Sequence, residues 1–229
     1  MVHLILQKEY CLSDPTLHAV ESMAFDGSHY LFCDGKSPSV FEINRSSMVR
    51  TIRTPQVYKS LCYDTASGCF WALPAATGAY VDRLNQQFVV EGQIPTSKAR
   101  GLPLDAIGFD AANDRLLLFG PQGAWSLDKR GKELKSLWQN PQQALLCCGC
   151  FAQQYHFSGL YCFDSKLSPI RILDAKNQPV NMACLPETFL LRSMCCAYDR
   201  DGGLHLFVLA LKDYTAPHML EYQLLDIVE

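Results

Sequence analysis

Long hydrophobic runs are missing from this sequence. The longest weakly polar stretch, Ala144 to Ala152, is about half of the roughly 20 residues that a membrane-spanning helix needs. An excess of charge of one sign is missing too. Twenty Lys and Arg stand against 23 Asp and Glu, for a net charge of -3, so nothing here would draw the chain strongly to phosphate backbones or anionic membranes. No nucleic acid and no membrane are expected as partners. The apolar run within Met1 to Tyr10 is too short and mixed for the core of an export signal, which leads us to expect a soluble, cytoplasmic protein.

Catalytic signatures are equally scarce. There is no Gly-x-Ser-x-Gly elbow, no His-Glu-x-x-His, and no glycine-rich phosphate loop ahead of a helix, so neither a nucleophile elbow nor a zincin site is written into the chain. No cofactor and no metal are expected. Eleven cysteines are present, an odd number, mostly inside apolar segments. A secreted disulfide framework would place them in loops, and we read them as reduced thiols that behave as small hydrophobes.

What the chain does have is a repeat. At 229 residues, 48% apolar and 19% charged, it can bury the core of one domain. An aromatic residue, usually followed by Asp, recurs as Phe25-Asp26, Tyr63-Asp64, Phe109-Asp110, Phe151-Ala152 and Tyr198-Asp199. One residue before it stand Ala24, Cys62, Gly108, Cys150 and Ala197, and three before it Ser22, Ser60, Ala106, Cys148 and Cys195. All ten are small. Alternate residues share one face of a strand, so each repeat opens with a strand presenting a face of small side chains, as crowding around a central axis demands. A turn signal follows, such as Asp26-Gly27-Ser28 or Thr65-Ala66-Ser67-Gly68, then a second apolar run. A third, alternating segment ends on Asn or Asp, as in Phe41 to Asn44, Trp125 to Asp128 and Tyr161 to Asp164. Outer strands follow as Met48 to Arg53, Phe88 to Ile94, Glu133 to Trp138 and Pro169 to Leu173.

This rhythm resembles the β-propeller families in general, in the manner of the WD-repeat and NHL groups. The Gly-His and Trp-Asp dipeptides of the WD group are absent. The resemblance implies an all-β, five-bladed propeller forming a single domain over residues 1–229, with blades at roughly 19–54, 56–94, 103–138, 143–174 and 189–226. The last blade lacks a fourth strand, and Met1 to Tyr10 is expected to supply it (strand 2–10), removing an exposed edge.

In such a ring the first strands begin at one mouth of the channel. Four residues before each aromatic stand Glu21, Lys59, Asp105, Cys147 and Met194, with Arg192 close by. Two acids and one or two bases around a concave mouth form a candidate site. The loops between second and third strands face the same mouth, and Lys36, Tyr80, Trp125 and Tyr214 offer contacts there. Glu21, Lys59, Asp105, Arg192, Tyr80 and Trp125 are the ligand-binding candidates. His18, just before the first blade, is a further residue of interest. Cys147, Cys148, Cys150, Cys195 and Cys196 could converge on a soft ion, but paired Cys-x-x-Cys knuckles are missing and other repeats fill the same slots with Ala, Ser and Gly. Packing explains them.

Two functions compete. The leading one is a monomeric, non-enzymatic intracellular binding or scaffold module, whose protein partner or small ligand docks on the loop-rich face. The other is a carbohydrate-active hydrolase or lyase, as the likeness to five-bladed glycosidases implies. It would need two carboxylates about 5 to 10 Å apart, and Glu21 and Asp105 are the only candidates.

Overall fold

The structure is a computed structural model that describes residues 2–17, 19–44, 47–96, 104–139, 145–152, 154–161, 168–198 and 201–226. Locally, the recurrent aspartates set the hairpins. Asp26 Oδ1 accepts the amides of Ser28 and His29, both at 2.7 Å. Asp64 does the same for Ala66 and Ser67, and Asp110 for Ala112 and Asn113. A short carboxylate that satisfies two turn amides fixes the chain reversal before any distant contact is made.

The strands so joined form five four-stranded antiparallel sheets. The first blade comprises β2 (Ser22–Phe25), β3 (Tyr30–Cys33), β4 (Ser39–Asn44) and β5 (Ser47–Arg53). The second comprises β6 (Tyr58–Asp64), β7 (Cys69–Pro74), β8 (Tyr80–Leu84) and β9 (Val90–Pro95). In the third are β10 (Ala106–Asp110), β11 (Arg115–Gly120), β12 (Gly123–Asp128) and β13 (Leu134–Gln139). The fourth holds β14 (Leu145–Ala152), β15 (Tyr155–Tyr161), β16 (Pro169–Leu173) and β17 (Pro179–Cys184). The fifth is built from β18 (Phe189–Tyr198), β19 (Leu204–Lys212), β20 (Ala216–Asp226) and, from the other end of the chain, β1 (Val2–Cys11).

The fourth blade differs from its sequence reading. Pro169 to Leu173 is its third strand, and the outer strand lies beyond residue 174, at Pro179–Cys184. The segment Tyr161 to Asp164 imitates the third-strand pattern of other blades, and residues 162–167 lie outside the described residues. The hairpin signal was there in Asp174, whose carboxylate accepts the amides of Lys176 and Gln178.

Closure of the ring is as expected. β1 pairs with β20 from Val2↔Asp226 to Cys11↔His218, with one bulge between Leu6 and Lys8. Side chains add to the ladder. Tyr10 donates to Glu221 at 2.7 Å, His205 Nδ1 lies 2.8 Å from the same carboxylate, and His218 Nδ1 lies 2.8 Å from Glu9.

The core sits between blades. Leu31, Leu61, Phe70 and Phe88 join the first two blades, and Trp71, Ile94, Leu118 and Trp125 the second and third. One buried ion pair crosses the latter junction. Asp64, fully buried, lies 2.6 Å from Lys129 Nζ and accepts the Trp71 indole N–H at 3.2 Å. Burial alone would raise the Asp64 pKa, but Lys129, the indole and the Ser67 amide outweigh it and hold the carboxyl below its ordinary value.

At the axis the inner strands of the third and fourth blades nearly touch. A Cβ on Gly108 of β10 would lie 2.7 Å from the Gly149 carbonyl of β14, and one on Gly149 would lie 2.4 Å from the Phe119 ring of β11 and 2.8 Å from the Phe157 carbonyl of its own blade. Gly149→Ala is therefore expected to lower stability by about 1–3 kcal/mol in a denaturant melt, whereas Gly92→Ala in β9, with nothing within 4 Å, changes it little. Lys129→Met strands a buried carboxylate and should cost roughly 3 kcal/mol at neutral pH. Because the Asp64 pKa is lowered in the fold, the pair's contribution is complete above its unfolded value near ~4 and fades as pH falls through the folded value. The gap between variant and wild type should therefore narrow in acid melts.

Candidate functional site

The backbone places one residue of each blade at a common level of the channel. The amide of Glu21 bonds to the Cys33 carbonyl at 2.9 Å, and that of Asp105 bonds to the Phe119 carbonyl at 2.7 Å, each just ahead of its inner strand. In β6, β14 and β18 the register slips between Tyr58 and Ser60, between Leu146 and Cys148, and between Leu191 and Ser193. Lys59, Cys147 and Arg192 are the extra residues of those bulges, and bulges re-aim side chains.

In three of the five blades the next residue along the strand fits the same frame. Ser193 Oγ accepts the Met23 amide, Ser22 Oγ that of Leu61, and Ser60 Oγ that of Ile107, at 3.0 to 3.2 Å. Each hydroxyl thus ties its blade to the next at the same layer. In the fifth blade that layer is held by Ser193, and the frame drawn from Tyr198 is two residues off. Arg192 stands where the spacing had put Met194, whose side chain packs inward against Gly159. The cause is β18, ten residues long, which carries the aromatic further past the axis than in other blades.

At this mouth Glu21, Lys59 and Asp105 are neighbours. Lys59 Nζ is 3.9 Å from Asp105 Oδ1 and donates to the Leu104 carbonyl. The Glu21 carboxylate lies over Gly35 of the β3–β4 loop, close enough that a Cβ there would meet it at 2.9 Å, with Lys59 Cβ at 3.7 Å. Burial raises the Asp105 pKa and Lys59 pulls it only part of the way back. Arg192 comes from β18, which packs against β2, and its Nε is buried without a hydrogen-bond partner among the described residues.

The other sequence candidates lie elsewhere. Trp125 is 8% exposed and packs in the core between the second and third blades. Tyr80 approaches Gln56 at 3.4 Å, and Gln56 belongs to a polar cluster around the buried Asp82, to which Tyr58 donates at 2.6 Å. Tyr214 is exposed in the β19–β20 turn, and Lys36 lies in the β3–β4 loop with its amide on Asp34. His18 and the side chain of Cys147 lie outside the described residues. Among the described residues no group of three or more His, Cys, Asp or Glu is placed to hold a metal ion.

A cavity opens at the opposite end. It encloses about 570 Å³ and takes its walls from all five inner strands, including Phe25, Tyr63, Phe109, Phe151 and Tyr198, with Met23, Leu61, Ile107 and Met194 deeper in. The serine layer lies between this vestibule and the charged mouth. Ser22 and Ser60 are both buried there, their hydroxyls 3.1 Å apart. The thiols of Cys62, Cys150 and Cys195 also line the vestibule, and burial pushes all three pKa values well up, so the wall carries neutral thiols at pH 7. The aromatics were legible in the sequence as repeat markers. That they enclose a cavity follows only from the ring bringing their strand ends together.

Raising the pKa of a carboxyl group means that the folded state holds its proton more tightly than the unfolded chain does. Ionised Asp105 therefore opposes folding at neutral pH, and stability tied to it falls as pH rises through its folded pKa. Asp105→Asn is expected to raise the melting temperature slightly at pH 7, with the difference closing below about pH 4, as differential scanning calorimetry would record.

No family model matches the chain, and no curated protein resembles it in sequence. Solved structures do resemble it in fold. Myxococcus xanthus glutaminyl cyclase, likewise propeller-like, aligns over 98% of this chain and 97% of its own, with a TM-score of 0.64 and 15% identity. The tail fibre of Staphylococcus aureus phage P68 aligns over 97% of this chain and 52% of its own (TM-score 0.60, 11% identity). A chain of a nidogen/laminin complex aligns over 94% and 92% (TM-score 0.59, 13% identity). At such identities the likeness shows the fold alone, and the chain is a five-bladed β-propeller that no family model claims.

Proposed function

We propose that this protein is a binding module that receives a small apolar or aromatic group in the vestibule at the aromatic end of its channel. The observation that carries this reading is the cavity itself. At about 570 Å³ it falls within the range of roughly 300–1,000 Å³ found for small-molecule sites. Its described lining contains no carboxylate, imidazole, ammonium or guanidinium group, so it offers desolvated contact area and no side chain suited to proton transfer at neutral pH. The end of the channel that binds is then opposite to the loop-rich face that the sequence suggested.

Nine of the cysteines are described, and none of these is in a disulfide, which favours a reducing, cytoplasmic setting. Among the described residues no helix is long and apolar enough to cross a membrane. We take the working unit to be the monomer, because all five sheets and the closing strand come from one chain.

A second reading has one observation in its favour. Asp105, with its raised pKa beside Lys59 and near Glu21, has the character of a proton donor at the charged mouth, and one of the fold neighbours is an enzyme. On this reading Glu21 and Asp105 carry acid–base chemistry on a carbohydrate-like substrate, and Lys59 or Arg192 holds an anionic group.

An anilinonaphthalene sulfonate titration, followed by fluorescence, separates the two ends. The dye is expected to bind the wild type, and Ala111→Trp, at an exposed position on the vestibule rim, should weaken binding tenfold or more while leaving the melt unchanged. Arg192→Met at the opposite mouth should leave it intact. Equal binding by the wild type and the rim variant would overturn the vestibule reading.

A further inference from the structure

The eleven cysteines are not equivalent in the fold. Cys69 is engaged by Arg83 Nε at 3.4 Å, Cys33 is buried in the core, and Cys11 and Cys184 are exposed on the first and seventeenth strands. One pair stands apart. Cys150 on β14 and Cys196 on β18 belong to the inner strands of adjacent blades, and their sulfurs lie 3.1 Å apart. Both line the vestibule, and Cys196 is partly exposed whereas Cys150 is buried.

We infer that Cys150 and Cys196 are a redox-active pair that forms a reversible disulfide across the junction of the fourth and fifth blades. A disulfide needs its sulfurs at about 2.05 Å, so the two must approach by about one ångström, within reach of side-chain rotation. An ion held between thiolates is served less well. Bonds of about 2.3 Å in a tetrahedral site would spread the sulfurs to roughly 3.8 Å, and no third ligand accompanies them among the described residues. Packing asks only for a small side chain at Cys150, where other blades carry Ala24 and Gly108. It does not ask for two sulfurs in contact.

The chemistry requires an oxidant, and a low-molecular-weight disulfide supplies it. Cys196, the more exposed of the two, loses its proton and attacks one sulfur of the reagent, expelling one equivalent of the small thiolate. Cys150 then gives up its proton and displaces the second small thiolate from Cys196. Two protein thiols are oxidised to one disulfide, and one small disulfide is reduced to two thiols. Burial holds the Cys150 proton tightly, which assigns first attack to Cys196 and resolution to Cys150. The bond would link strands 46 residues apart in sequence and staple the ring beside the axis. This inference stands on the sulfur geometry and does not depend on what the vestibule binds.

The test uses the intact folded chain. It is incubated with oxidised glutathione under native conditions, free thiols are blocked with N-ethylmaleimide, and the digest is mapped by mass spectrometry. The expected result is the loss of two hydrogens from the intact mass, a Cys150–Cys196 linked peptide pair, a higher unfolding midpoint, and reversal of all three by dithiothreitol. Cys196→Ser should abolish the linked pair and Cys195→Ser should not. Should a serine variant fail to fold, the wild-type map alone decides. Glutathione stably retained on Cys196, a linked pair involving other cysteines, or a pair that appears only in urea would each overturn the inference.

Discussion

Crowding at the axis constrains everything else in this molecule. Five inner strands converge there, and the space left to their side chains is so small that Gly108 would drive a Cβ to 2.7 Å from the Gly149 carbonyl. Strands that close cannot be separated by large apolar side chains, yet each still needs partners for backbone groups turned away from its own sheet. Serine resolves both demands. Ser22, Ser60 and Ser193 occupy little volume, and each offers an oxygen to the amide of the neighbouring blade. The small face of each repeat is thus more than an absence of bulk, since three of its members form the hydrogen bonds that hold the ring in register.

Around that layer the fold is assembled from two kinds of contact. Carboxylate-capped turns make local hairpins in the first four blades, which order few residues at a time and close cheaply. Between blades, apolar clusters and the Asp64–Lys129 pair make the ring cooperative. Termination is the remaining problem, because a last blade with three strands would leave β20 as an unpaired edge. The first strand covers that edge, and its Glu9 and Tyr10 tie it to His218 and Glu221 of β20. The same strand that begins the chain thereby finishes the ring.

The serine layer also divides the channel chemically. On one side the bulges at Lys59 and Arg192 turn charged side chains toward a mouth that holds Glu21 and Asp105, where burial works against an ionised carboxyl. On the other side the strands end in aromatic residues, and the wall is apolar with thiols kept neutral by burial. Charge at one end and desolvated surface at the other suit different ligands, which is why the two readings of function attach to opposite ends of one channel. The contact between Cys150 and Cys196 arises at the apolar end for the same reason as the serine bonds at the centre: adjacent inner strands lie close enough for short side chains to meet.

Much of this was legible in the residues alone. Small side chains at alternate positions, an aromatic followed by Asp, and a turn form a local pattern, and local patterns survive in sequence because they act through neighbours in the chain. From them came the five blades, the closing strand and the level of Glu21, Lys59 and Asp105. Two errors mark the limit of that reading. In the fourth blade Tyr161 to Asp164 copied the third-strand pattern, so the outer strand at Pro179–Cys184 was missed. In the fifth, the aromatic of a longer strand shifted the frame by two residues and put Met194 where Arg192 stands. Both positions depend on register between strands, which bulges decide and spacing along one strand does not record. The vestibule, the core position of Trp125 and the meeting of Cys150 with Cys196 were settled only by tertiary structure, because each is a relation between blades about 40 or more residues apart in sequence, fixed by how closely the ring draws their strands together.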